Sequence, residues 1–202
     1  DAILPASSSV SKNKGQDYLI AIGASTGGTI ALRDLLTPLP AEMPGIVIVQ
    51  HMPKAFTKSF SESLNKDCRL KVQEACEGDK LERGKVLVSP GDKHMMLKVD
   101  GNGYSVTMNS GELGNRHRPS VDVLFRSVAN IAGSNSIGVI LTGMGDDGAK
   151  GLVEMHEAGS HTLAQDEESC VVFGMPRKAV ENGAVDEVLN LEGISKRLIE
   201  LS

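Results

Sequence analysis

The sequence predicts an α/β fold: a doubly wound, mostly parallel sheet with helices on both faces and an antiparallel β-ribbon in the middle of the chain. Short β-branched apolar runs at residues 18–22, 46–49 and 137–141 alternate with stretches of helical period. Strand–helix–strand alternation selects parallel strands with right-handed crossovers. Residues 85–89, 95–99 and 104–108 differ, being short runs broken by Pro90-Gly91 and by Asp100-Gly101-Asn102-Gly103. Those turn residues belong to antiparallel hairpins, appended to or inserted into the sheet.

Taken in order, residues 1–16 include Ser7, Ser8, Ser9, Ser11, Lys12, Asn13 and Lys14 and have no apolar periodicity. Such a segment buries too little surface to order itself and reads as a flexible Ser-rich linker. The chain starts with Asp rather than Met, so a fragment of a longer protein is expected, with residues 17–202 as one domain. The runs at 18–22 and 46–49 lack polar alternation, as strands covered on both faces do. Helices are predicted after them, over 29–36 and 56–64. Val123, Leu124, Ser127, Val128 and Ile131 recur at helical spacing, with Ser120 as N-cap after Pro119. Residues 137–141 form a third buried strand, 149–157 a helix that Gly159 stops, 162–164 a fourth strand and 194–201 a closing helix.

Composition narrows the function classes. A chain of 202 residues with 40% hydrophobic residues fits one domain of about 150–200 residues. The net charge of -5 and 3% aromatic content argue against nucleic acid as partner. Cys68, Cys76 and Cys170 are odd in number and widely spaced, which points to a reducing cytoplasm rather than a disulfide framework or zinc ribbon. No apolar run approaches the ~20 residues of a membrane helix, and no signal-peptide core is present.

Gly23-Ala24-Ser25-Thr26-Gly27 fits G-x-S-x-G between a predicted strand and a predicted helix. In a nucleophile elbow the glycines permit the tight turn that exposes the Ser hydroxyl, and the following N–H, here Thr26, is free to bind an oxyanion. His51 follows the second strand. The carboxyl ends of parallel strands share one rim, where ligands bind, so Ser25 and His51 are expected on the same rim with His51 as base. The third strand runs into Thr142-Gly143-Met144-Gly145-Asp146-Asp147-Gly148, bringing a carboxylate to orient the imidazole. The residues alone leave Asp146 and Asp147 as alternatives. A tight or anion-binding loop is the competing reading of each segment taken singly.

Six segments, in order, carry a resemblance to a known family: GASTGG at 23–28, QHMP at 50–53, PGDKHM at 90–95, RPSVDVLF at 118–125, GVILTGMGDDG at 138–148 and VFGMP at 172–176. Residues 17–202 resemble the C-terminal catalytic domain of the CheB family, the chemotaxis protein-glutamate methylesterases. The resemblance implies a serine hydrolase that demethylates glutamate methyl esters on chemoreceptor cytoplasmic helices, releasing methanol, and that deamidates certain receptor glutamines. It implies Ser25, His51 and Asp147 as triad, the Met144 N–H as oxyanion donor, no cofactor and no metal. It also implies an upstream receiver domain joined through the linker, with a cytoplasmic monomer as the default state.

Arg118, at the start of a predicted helix, is a possible contact to an acidic receptor helix, against a reading as capping and an ion pair. His94 and His117 are loop histidines whose spacing assigns them no role. His156-Glu157 and His161 carry one residue too many for H-E-x-x-H, and Gly159 interrupts the helix that would align two zinc ligands. Cys170 precedes an apolar run and reads as a buried thiol. Two other function classes compete. A Rossmann-like dinucleotide-binding domain requires a middle Gly where Ser25 stands and an acid where Gln50-His51 stands. A non-catalytic receptor-docking module has no need of a Ser, a His and an Asp on one rim.

Overall fold

The computed structural model describes residues 18–202; the predicted linker at 1–16 lies outside the described residues. Strand β1 (Leu19–Ala24) is buried throughout. It pairs in parallel with β2 (Gly45–Gln50) on one side and β8 (Ser136–Ile140) on the other. Side chains of successive strand residues point to opposite faces: Leu19 and Ala21 enter one core, Ile20 and Ile22 the other. A strand needs such an unbroken apolar run only when both faces are covered.

The parallel sheet has seven strands in the order β10 (Glu187–Leu189), β9 (His161–Gln165), β8, β1, β2, β5 (Lys85–Val88) and β3 (Lys71–Glu74). On one face lie α1 (Gly28–Leu36), α2 (Lys54–Asp67) and α6 (Leu191–Leu201), which bury Leu32, Leu35, Phe60, Leu64, Ile194 and Leu198. The other face carries α3 (Val121–Ile131), α4 (Ala149–Glu157) and α5 (Met175–Glu181). The stripe Val121, Leu124, Phe125 and Val128 at i, i+3, i+4 and i+7 makes α3 amphipathic. Ser120 caps it as predicted, its side chain accepting from the Val123 N–H. Gly159, with φ +97°, ends α4 as expected for a left-handed C-terminal glycine.

The ribbon is a separate three-stranded sheet of β4 (Lys80–Leu81), β7 (Gly103–Asn109) and β6 (His94–Asp100). Asp100 pairs with Gly103 across its hairpin turn. Residues 85–89 do not join the ribbon. β5 (Lys85–Val88) runs parallel between β2 and β3 (Lys71–Glu74). Val86, Leu87 and Val88 are all buried, the signature of a strand covered on both faces, and the nearby Pro90-Gly91 turn obscured it. Strand β9 (His161–Gln165) continues the sheet to β10 (Glu187–Leu189).

Chain order reverses at β1: β2, β5 and β3 lie to one side, β8, β9 and β10 to the other. Open α/β sheets bind ligands outside the carboxyl ends of strands at such a switch point. The segments that leave β1, β2 and β8 there are the three singled out above.

Candidate active site

Ser25 and His51 each stand one residue beyond a strand. Ala24 pairs with Gln50, and the His51 N–H donates to the Ala24 carbonyl at 3.1 Å, so the two residues leave the sheet side by side. Ser25 is held from both neighbouring strands. Its N–H donates to the Thr142 carbonyl at 3.0 Å, and its own carbonyl accepts from the buried Gln50 amide Nε2 at 2.9 Å. Gly27 completes the turn into α1 with φ +83°, a left-handed conformation that costs a residue with Cβ about 1–2 kcal/mol.

The loop after β8 closes on the same point. A Cβ on Gly143 would stand 2.8 Å from Ser25 Cβ and 3.1 Å from Ser25 N, so only glycine admits so close an approach. The next N–H, that of Met144, and the Thr26 N–H have no hydrogen-bond acceptor among the described residues. These two free amides flank the serine.

Of the two adjacent carboxylates, Asp147 meets the imidazole. Its Oδ2 lies 2.7 Å from His51 Nε2, while the exposed Asp146 accepts from Asn115 Nδ2 at 2.9 Å. Asp147 is buried at the N-terminus of α3. Oδ2 also accepts from the Val121 N–H at 2.7 Å, and Oδ1 accepts from the Asp122 N–H at 3.0 Å and Ser120 Oγ at 2.8 Å. Burial alone would push this carboxyl up. The hydrogen bonds from His51 and the Asp122 and Val121 amides outweigh it and hold Asp147 below the usual carboxylate range. The positive end of α3 adds to the same preference.

An ionised carboxylate only accepts, so the proton between the partners sits on His51 Nε2 and the ring's lone pair is on Nδ1. Nδ1 is buried and has no partner among the described residues. The arrangement therefore sets an unprotonated ring nitrogen on the strand end next to the one that bears the half-buried Ser25, with two free N–H groups nearby, though Nδ1 and the serine hydroxyl are not hydrogen-bonded to each other: these are the parts needed for acyl transfer.

Three features escaped the sequence reading. His117 stacks on His51, ring centroids 3.8 Å apart and planes 9° from parallel; burial, then the charge of His51, hold its pKa below the ordinary value. Asp122 is a second buried carboxyl, accepting from the Gly151 N–H at 2.7 Å. Burial, reinforced by the Asp147 charge, pushes it up to about 6. Ser120 caps α3 and donates to Asp147 at once. Capping was legible from sequence, but a through-space donation or ring stack leaves no spacing signal.

His94 is not in a loop: it opens β6 and is buried behind α3. Its Nε2 donates to the Glu112 carbonyl at 2.7 Å and its Nδ1 accepts from the Ser120 N–H at 3.2 Å. Arg118 is occupied: Nε and Nη2 donate to Asp92 Oδ1 at 3.1 and 2.7 Å, and Nη1 to the Gly111 carbonyl at 2.9 Å. This geometry favours the ion-pair reading over substrate contact. His161 lies 2.5 Å from Glu187 and His156 3.4 Å from Asp186. Cys170 is half-buried rather than buried as expected, and that burial raises its thiol to about 11, which disfavours the thiolate. A cleft of about 320 Å³ beside the imidazole is lined by His51, Leu113, Arg116, His117 and Arg118, among others. A larger hollow of about 540 Å³, bordered by Lys54, Glu74 and Lys93, contains none of Ser25, His51 and Asp147.

The sequence model of the family described as CheB methylesterase matches residues 20–198. The chain belongs to the CheB methylesterase family. A protein-glutamate methylesterase/protein-glutamine glutaminase of Chromobacterium violaceum is 57% identical over 198 residues, covering 98% of this chain and 55% of that protein. Its namesake from Pectobacterium atrosepticum is 58% identical over 183 residues, 91% of this chain and 52% of the relative. The crystal structure of the CheB methylesterase catalytic domain of Thermotoga maritima superposes with a TM-score of 0.90 at 41% identity, covering 92% of this chain and 99% of that one. The chain thus spans about half the length of the curated relatives it matches, and nearly all of the solved CheB catalytic domain. Among its described residues no helix is long and apolar enough to cross a membrane.

Proposed function

We propose that this chain is a serine hydrolase that removes methyl groups from glutamate γ-methyl esters of a protein substrate, with Ser25 as nucleophile, His51 as base and Asp147 as the carboxylate that orients it. One observation carries the reading: His51 Nε2 is clamped by an ionised Asp147, which leaves a buried, unpartnered Nδ1 beside the strand end that bears Ser25. The curated relatives carry the matching name, protein-glutamate methylesterase/protein-glutamine glutaminase.

In this mechanism Ser25 Oγ attacks the ester carbonyl carbon as its proton passes to His51 Nδ1. The carbonyl oxygen takes the negative charge and accepts from the Thr26 and Met144 N–H groups; one such donor is worth about 3–4 kcal/mol in the transition state. Collapse of the tetrahedral adduct breaks the carbonyl–methoxy bond, and the imidazolium protonates the leaving oxygen to give methanol. Water then gives its proton to His51, attacks the glutamyl–Ser25 ester and releases the carboxylate with the serine restored. The same steps on a glutamine side chain release ammonia. Asp147 stabilises the imidazolium in both halves. One copy of the chain carries all three groups, so a monomer suffices. The family resemblance names the substrate as methylated cytoplasmic helices of chemoreceptors, the compartment as the cytoplasm and the upstream partner as a receiver domain.

Methanol release from methylated receptor membranes tests this. Ser25→Ala is expected to lower turnover by several orders of magnitude, because the three groups act as a unit. Near-wild-type release by that variant would end the hydrolase reading.

A further inference from the structure

We propose that Arg116 is a specificity residue that binds a carboxylate of the substrate close to the ester; the inference rests on the esterase reading. The residue sits at the tip of a tight hairpin beside the imidazole. Gly114 and His117 exchange both backbone hydrogen bonds, each at 2.8 Å, which leaves Asn115 and Arg116 as a two-residue loop. Their φ values of 47° and 67° are those of a type I′ turn, whose second position favours glycine. An arginine there is held in a strained, left-handed backbone conformation. Strain of this kind gathers where a binding site over-determines a residue.

Every neighbour of Arg116 is committed to the protein. Asn115 Nδ2 donates to Asp146 Oδ1 at 2.9 Å. The His117 ring lies against His51. The Arg118 guanidinium is spent on Asp92 and on backbone carbonyls. The turn is thus tied down on both sides, while the Arg116 guanidinium has no hydrogen bond or ion pair among the described residues. It borders the cleft together with His51 and Arg118. Arg118 is neutralised by Asp92 and His51 must be neutral to act as base, so Arg116 is the cation lining the cleft that has no carboxylate bound to it among the described residues. A guanidinium fork matches a planar carboxylate with two parallel N–H···O bonds. The class of substrate favoured is an ester with an acidic side chain beside it, as on a glutamate-rich helix.

The test uses two synthetic helical peptides bearing one glutamate γ-methyl ester, with either Glu or Gln one turn away. Wild type should prefer the Glu peptide in kcat/KM by about three- to tenfold, mainly through KM, which is the range of an exposed charge-assisted contact. The preference should shrink in high salt. Arg116→Ala should bring it close to one, and Arg116→Lys should keep part of it. Arg116→Gly relieves the strain, so it should melt at or above the wild-type temperature while losing the preference, which separates charge from folding. A preference unchanged in Arg116→Ala and Arg116→Gly, or absent from wild type, would overturn the inference alone. No methanol from either peptide with folded wild type would overturn the esterase reading, and this inference with it.

Discussion

Replacing Asp147 with Asn probes the site where its demands are strictest. The carboxylate accepts four hydrogen bonds, from His51, Val121, Asp122 and Ser120. An amide accepts at one end only. With its NH2 in the Oδ2 place, it faces the fixed Val121 N–H, and His51 must turn Nε2 into an acceptor, moving its proton to Nδ1. No base then remains. With NH2 in the Oδ1 place the tautomer survives, but the amide faces the fixed Asp122 N–H and the imidazolium loses its counter-charge. Either way one backbone N–H is orphaned in a buried place, at about 1–3 kcal/mol. Loss of the negative charge at the α3 N-terminus adds about 0.3–1 kcal/mol, for a total of about 1.3–4 kcal/mol at pH 8. Turnover should fall by about 10²–10⁴, the upper figure being that of the same change in chymotrypsin-type proteases. The folded pKa of Asp147 is depressed, so its contribution is present above the unfolded carboxyl value of about 3.9 and is lost as pH falls through the folded one. The stability gap between variant and wild type should therefore close only in strong acid. Urea unfolding at several pH values and methanol release from a glutamyl ester provide the two readouts. A variant of wild-type stability with turnover within tenfold of wild type would refute the argument.

Asp122 has the opposite sign. Its folded pKa is raised to about 6, so its contribution is present below the unfolded value and lost as pH climbs through 6. Asp122→Asn, which mimics the protonated acid, should stabilise the protein by about 1–3 kcal/mol at pH 8 and by little at pH 4. Urea midpoints at the two pH values check this; equal effects at both would contradict it. Gly143→Ala should press a methyl group on Ser25 and on the Met175 sulfur, 2.8 and 2.3 Å away. The expected loss is about 1–3 kcal/mol of stability and about 10²-fold in turnover through misplacement of the serine. Steady-state kinetics with unfolding curves would expose an error here if turnover stayed normal.

Much of this was legible in the sequence because parallel strands are unbroken apolar runs and their carboxyl ends form one rim. That logic places Ser25 and His51 together from the sequence alone. It left Asp146 against Asp147 open, since the choice is made by α3, whose amides and Ser120 hydroxyl receive Asp147 from 25–27 residues away in sequence. Strand β5 was grouped with the ribbon because of the turn after it, although its three buried residues behave as interior strand. β3, β4, α5 and β10 are too short, or too close to Pro176, to show a period. The role of Arg118 was obscured because its partner Asp92 is 26 residues distant. The unpaired state of Arg116 is likewise a property of packing, invisible in spacing.

Covalent labelling by a fluorophosphonate is the shortest route to the central claim, that a hydroxyl at the end of β1 is made nucleophilic by the imidazole at the end of β2. Peptide mass spectrometry should find one adduct, on Ser25, formed more slowly as pH falls and slowed by orders of magnitude in His51→Gln. An adduct on another residue, or equal rates in wild type and His51→Gln, would contradict it.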